Sequence, residues 1–182
     1  IFLKPDITVD PRDLIPIFHQ WIQKEMVDGL LIDVADYTHL IDGPRVLLVG
    51  YEGNYSLDYR NERPGLCYYR KRPTNGTLAE RLVALGRTVL KAACLLEKEE
   101  SLSPSFSFVG NEIEFIANDR LLSTKEHHLK EVLQPELANF LSQLYPEQSH
   151  EITPNKLDKE RLMFKLRAEN EVSIKEVLAR IS

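Results

Sequence analysis

Between Gly29 and Arg72 the chain places strand-length apolar runs one after another, separated by breaks too short for a crossover. Gly29–Tyr37 and Arg45–Tyr51 flank Asp42-Gly43-Pro44, a strong turn signal. Asn54–Tyr59 adds a short strand, and Gly65–Arg72 follows the turn-like Asn61-Glu-Arg-Pro-Gly65. Strands joined through so few residues pair antiparallel, because a parallel pair needs a connection of a dozen residues or more. Helical patterns lie on both sides of this block. The combination predicts the α+β class: a mainly antiparallel sheet with helices packed on one face.

The helices announce themselves by their starts. Asp10-Pro11-Arg12-Asp13 combines a capping acid, a proline suited to the first helical position and a second acid near the positive end of the helix dipole. Leu14, Phe18, Trp21 and Ile22 then form one stripe, with the helix predicted to end near Val27 and Pro16 close enough to its start to bend it. Thr77-Leu-Ala-Glu80 and Ser123-Thr-Lys-Glu126 are capping boxes, and Ser173-Ile-Lys-Glu176 is a third. The helix after Thr77 carries Leu78, Leu82, Leu85, Val89 and Leu96 to about Lys98. The one after Ser123 uses Leu129, Val132, Leu133, Leu137, Phe140, Leu141 and Leu144, with a kink expected at Pro135.

Ser105–Val109 and Glu112–Ile116 alternate around Gly110-Asn111 and read as a hairpin. Arg161–Arg167 alternates as a further strand. Residues 147–160 hold Pro154 and alternating charges and read as a linker. The expected organisation is an α+β core over residues 1–146, that linker, and a short C-terminal strand–helix appendage over 161–182. The appendage is expected to pack on the core or on a partner subunit.

Composition limits the function. The 182 residues hold 23 Lys+Arg against 28 Asp+Glu, a formal charge of −5, which disfavours a nucleic-acid binder. Apolar runs such as Val46–Val49 are far shorter than the roughly 20 residues that cross a bilayer. No secretory signal is visible, and a cytoplasmic location is expected, although the chain begins without Met and a removed leader stays open. Cys67 and Cys94, on a predicted strand and helix, read as packing residues. Asn54-Tyr-Ser and Asn75-Gly-Thr match a glycosylation triplet that is common by chance.

The charge is unevenly spread. Residues 1–59 carry 4 basic and 10 acidic side chains, whereas residues 60–91 carry 8 basic and 2 acidic. The basic segment suits an anion or an acidic partner. Its plain alternative is self-neutralisation, with Arg60, Arg63, Arg70 and Arg72 paired to acids of the first strands.

Asp33-Val-Ala-Asp-Tyr-Thr-His39 concentrates ionisable groups at the end of an apolar strand. Asp33, Asp36, Tyr37 and His39, with Glu52 on the partner strand and Arg70 and Arg72 opposite, are the candidate ligand-binding residues. Antiparallel pairing through the Asp42-Gly43 turn makes Asp33 a nearer neighbour of Glu52 than His39 is. Two carboxylates together suit acid–base work or a divalent cation. The plainer reading gives His39 a backbone partner and Asp33 an arginine, since an acid inside Leu-Leu-Ile-Asp-Val-Ala is out of place in a strand covered on both faces. No spacing matches a metal or triad template, and no metal or cofactor is expected. Gly50-Tyr-Glu-Gly53 ends a strand rather than opening a helix, so it reads as a bend and not a phosphate loop. Tyr68-Tyr69-Arg70-Lys71-Arg72 mixes aromatics and cations as a single-strand nucleic-acid groove does, without any RNA-recognition signature. His127 and His128 diverge by about 100° on a helix and read as surface residues. Asn118-Asp119-Arg120 reads as a turn.

Asp33–His39, Gly43-Pro44 and Leu48-Val-Gly-Tyr-Glu-Gly-Asn-Tyr-Ser-Leu-Asp58 resemble a group of uncharacterised bacterial proteins, cyanobacterial ones included. The likeness extends through Arg63-Pro-Gly65 and Tyr69–Arg72 to the Thr77 helix. That resemblance implies a soluble bacterial protein and carries over no catalytic residue. The expected function is a non-catalytic interaction or regulatory module, with a protein partner or a homodimer. The alternative is a small enzyme or a domain for an anionic ligand or metal, using the acidic cluster opposed by Arg70 and Arg72.

Overall fold

Asp10 caps the first helical segment from the position its sequence predicts, its carboxylate accepting from the Arg12 N–H at 2.9 Å. One 3₁₀ turn over Pro11–Asp13 leads into α1, Leu14–Lys24, which stops when Glu25 turns left-handed at φ 51°. The helix therefore ends short of Val27, and Pro16 sits in its first turn, where its missing N–H costs little. The computed structural model describes residues 1–40, 43–60, 63–117, 126–157 and 161–182, with the side chains of 60, 126–130 and 155–157 outside the description. Asp42, the Asn61–Glu62 turn, the Asn118–Arg120 turn, the Ser123 cap and the side chains of Arg60, His127 and His128 thus lie outside the described residues.

The molecule is α+β, with two antiparallel sheets and four α-helices among the described residues. The first sheet is a meander of β1 (Leu31–Asp36), β2 (Pro44–Gly50), β3 (Gly53–Arg60) and β4 (Arg63–Arg70), in that spatial order. Its inner face meets α1: Trp21 is fully buried, its ring tilted against Phe18 at 5.3 Å and edge-on to Tyr55 at 6.2 Å. The capping box at Thr77 is complete and opens α2, Leu78–Leu96, which lies against β4.

The second sheet overturns two expectations. Glu112–Ile116 forms β5, but Ser105–Val109 is not its hairpin partner; β5 pairs with β7, Arg161–Ala168. Phe108 instead makes an isolated bridge to Leu3. Alternation in residues 105–116 had shown that one face is buried, but it names no partner. Residues 150–157, read as part of a linker, form β6 on the other side of β7. Pro154 is accommodated because β6 is an edge strand of the order β5-β7-β6. The C-terminal strand is therefore the centre of a sheet rather than an appendage to one.

The third helix, α3, runs from Glu126 to Leu144 through Pro135 and packs on β6, β7 and α2. Leu133, Leu137, Phe140, Leu141 and Leu144 are buried as their spacing predicts, whereas Val132 is 46% exposed. The short α4, Ile174–Ala179, has the predicted Ser173 box and packs on α2. Gly86 of α2 lets α3 approach: a Cβ there would stand 2.5 Å from Phe140 Cζ. Buried side chains of both sheets and all four helices form one cluster, from Leu14 and Trp21 through Leu82, Leu137 and Phe164 to Val177. Among the described residues, no helix is long and apolar enough to cross a membrane.

Candidate functional site

The first sheet has two edge strands, β1 and β4, and the candidate residues lie on them or at the turns beside them. On β1, Tyr37 bonds inward to the Arg45 carbonyl at 2.7 Å, so by alternation the backbone of Val34 points outward from the sheet. The Asp33 carboxylate accepts that Val34 N–H at 2.8 Å. Asp33 is exposed on an edge strand and needs no arginine; its side chain occupies a donor that another strand would otherwise use.

The other candidates fall at opposite ends of the first sheet. At the β1–β2 turn, Asp36 accepts from the Thr38 hydroxyl at 2.6 Å and the Thr38 N–H at 2.8 Å. These bonds hold its carboxyl below the usual range, with Arg12 and His39 adding smaller attraction. Tyr37 and His39 stand beside it, their rings 6.4 Å apart, and both are exposed. At the far end, Glu52 sits in the β2–β3 turn and accepts the Leu30 N–H at 3.2 Å. Leu30 lies three residues before Asp33, so Glu52 is on Asp33's side of the sheet and His39 is not. Gly50 and Gly53 make this turn possible: a Cβ on Gly50 would lie 2.5 Å from the Gly53 carbonyl, and one on Gly53 would lie 2.6 Å from the Tyr68 hydroxyl. Among the described residues, no group of three His, Cys, Asp or Glu side chains is placed to hold a metal.

Among the described contacts, Arg63, Arg70 and Arg72 do not pair with acids of the first strands, although Lys91 of the same basic segment pairs with Asp28, just before β1, at 2.9 Å. Arg63 crosses instead to the second sheet, where its Nη1 lies 2.7 Å from Glu112 Oε1 and its guanidinium 3.9 Å over the Phe2 ring. Lys165 of β7 reaches the same Glu112 oxygen at 3.1 Å. Arg70 donates from Nε to the Arg72 carbonyl at 3.2 Å, and Arg72 lies 3.9 Å over the Tyr51 ring. The Glu52 carbonyl accepts from the Lys71 and Arg72 N–H groups, which fixes the end of β4 and leaves three successive cations around it. Tyr68 is half-buried, its ring tilted against Tyr55 at 4.7 Å; burial raises its pKa, against the pull of Arg70.

Sequence reasoning missed one concavity. A cleft of about 340 Å³ opens between β4 and β5, the facing edge strands of the two sheets. Leu82, Leu85 and Val89 of α2, with Phe140 of α3, line it, and Arg70 stands in its wall. Ile1–Leu3 closes one end: Ile1 and Leu66 exchange N–H···O bonds of 2.8 and 3.0 Å, and the Leu3 N–H donates to Pro64 at 2.9 Å. The Arg63–Glu112 pair braces the same end. The available signal was the stripe Leu82, Leu85, Val89, which looks the same whether it faces a core or a cleft. Cys67 also lines the cleft, while Cys94 is buried and its thiol pKa is raised by that burial, as suits a packing residue.

No family model matches the chain, and no match is found among curated proteins or solved structures. Residue roles therefore rest on this geometry.

Proposed function

We propose that the chain is a non-catalytic interaction module that holds a protein partner in the cleft between β4 and β5. The observation that carries this reading is the floor of the cleft, where Leu85 and Val89 stay half-buried between two sheet edges, Val89 at the margin of the core. Apolar side chains in a concavity rimmed by polar groups are the usual mark of a binding surface. The capped Val34 N–H argues that association through the β1 edge is opposed, so a homodimer would have to use another face. Tyr68 already packs against Tyr55 and the Tyr51 ring is covered by Arg72, which argues against a platform for bases.

Native mass spectrometry on the chain, purified gently from the cells that naturally make it, tests this reading. The expected result is a protein complex that the Leu85→Arg variant does not form. A second reading is an anionic small molecule with an apolar body, which Arg70 in the wall of the cleft favours. A stoichiometric small-molecule adduct lost in the same variant would replace the first reading with the second. A complex that survives the substitution would refute both.

A further inference from the structure

The first sheet gives one face to the core. Leu48, Tyr55 and Leu57 turn inward there, and Trp21 of α1 meets Tyr55. On the other face the registers place Asp33, Val49, Asn54 and Tyr69 side by side. Ala35, Leu47, Ser56 and Cys67 form the next row. Ala35, Leu47, Val49, Cys67 and Tyr69 all lie outside the core cluster. Asp33 is the one charged side chain in these two rows, and Asp58 and Arg63 follow toward the β3–β4 turn. The second sheet dresses its outer face differently. Glu112, Arg167 and Glu151 stand in one row there, and Glu114, Lys165 and Thr153 in the next. That alternation of charge suits water, whereas the centre of the first sheet's outer face has the character of an interface core.

The borders of this face indicate what covers it. β1 carries Asp33 and Asp36 and no cation. β4 carries Arg63 and Arg70, runs on into Lys71 and Arg72, and holds no acid. Arg63 is engaged with Glu112, and beyond β4 the cleft adds Glu114 and Arg161, one of each sign. A second copy turned about a two-fold axis along the strands lays its acidic β1 over the basic β4 of the first, and the same contact repeats on the other side. An axis across the strands would instead set Asp33 against Asp33. A partner of one sign would be attracted at one border and repelled at the other. Ile32 at the β1 border is 56% exposed and Tyr69 at the β4 border 42%, and the axis along the strands brings these borders together as well.

We infer that two copies of the chain associate face to face through the outer side of the first sheet, with Leu47 and Val49 at the centre and the β1 and β4 borders crossed. Two sheets packed in this way interdigitate their side chains across about 10 Å and need no shared ladder. The Asp33 cap on the Val34 N–H still opposes growth beyond the dimer along the β1 edge. A strand added beside β4 would lie in the plane of the sheet and leave this face as it is.

Sedimentation equilibrium of the intact chain tests this, with circular dichroism to confirm the fold of each variant. The expected mass is twice that of the chain, falling to one chain in Val49→Lys and in Leu47→Lys, either of which suffices if the other does not fold. Lys71→Glu should weaken the dimer about tenfold, and raised salt should weaken it too. Orientation is read with a bismaleimide too short to bridge the roughly 14 Å that three strand spacings put between positions 35 and 67 of one copy. It should join copies of Ala35→Cys through the native Cys67 and leave the parent chain unjoined. A monomer at every concentration, or a dimer that keeps its mass in both lysine variants, would overturn the face as the interface. Cross-linking of the parent through Cys67, or none in Ala35→Cys, would overturn the crossing of the borders.

Discussion

Glu112→Gln tests how the two sheets are held at the closed end of the cleft. The Glu112 side chain is 8% exposed, and its Oε1 receives both Arg63 at 2.7 Å and Lys165 at 3.1 Å. Burial alone would raise its pKa, but the bonds from Arg63 and Lys165 prevail and hold it below the ordinary 4.5. Charge-assisted hydrogen bonds contribute about 1.5–3 kcal/mol each when well shielded. Arg63 and Lys165 are 40% and 42% exposed, so they regain water when the acid is neutralised. The surviving loss on substitution is about 2 kcal/mol, or about 4–8 °C in Tm for a chain of this length. Because the folded pKa is depressed, the stabilisation is complete above the unfolded pKa and disappears as pH falls through the folded value. Urea unfolding of both proteins from pH 7 to pH 3 should show a constant gap down to about pH 5 that closes below 4.5. A gap under about 0.5 kcal/mol at pH 7, or one that persists unchanged at pH 3, would refute the assignment of these bonds.

Three further substitutions probe separate parts of the fold. Gly86→Ala forces Phe140 to move, since its Cζ would lie 2.5 Å from the new methyl; overpacking of about 1–3 kcal/mol should outweigh the gain in helix propensity, and a higher urea midpoint would contradict it. Tyr145→Phe removes a buried hydroxyl that donates to the Gly110 carbonyl at 2.9 Å, so calorimetry should record a loss of about 1–2 kcal/mol; no change in Tm would mean that the carbonyl finds another donor. Asp33→Ala uncaps the Val34 N–H beside Leu30 and Ile32, which are 63% and 56% exposed. Sedimentation should then show concentration-dependent association absent from the parent chain, and an unchanged mass would remove the edge-guarding role of Asp33.

Elements governed by neighbours in sequence were legible before the fold was known. The caps at Asp10, Thr77 and Ser173 form as their residues dictate, because each is closed within one turn. The β1–β4 meander was readable for the same reason, its connections being turns. What could not be read was pairing across a long interval. Ile113 and Phe115 announce a buried face, but nothing local says that Leu166 and Phe164 lie opposite them. Pro154 argued for a linker because edge position, which makes it harmless, is a property of the assembled sheet. The same holds for the candidate site. Arg70 stood out as part of a cation run, yet the cleft beside it is assembled from β4, α2, β5 and α3, and only their packing defines it. Asp33 drew attention as an acid in an apolar strand. Its reason for being there is the edge, which the strand's own sequence does not reveal.

The position of β7 between β5 and β6 has a consequence during synthesis. A ribosome completes β5 and then translates all of α3 and β6 before β7 appears, an interval on the order of seconds. Throughout it, β5 lacks the strand it pairs with, while the segments of the first sheet and α2 are already synthesised. One wall of the cleft is thus made before the other, and the floor that α2 supplies waits for β7 to join the second sheet.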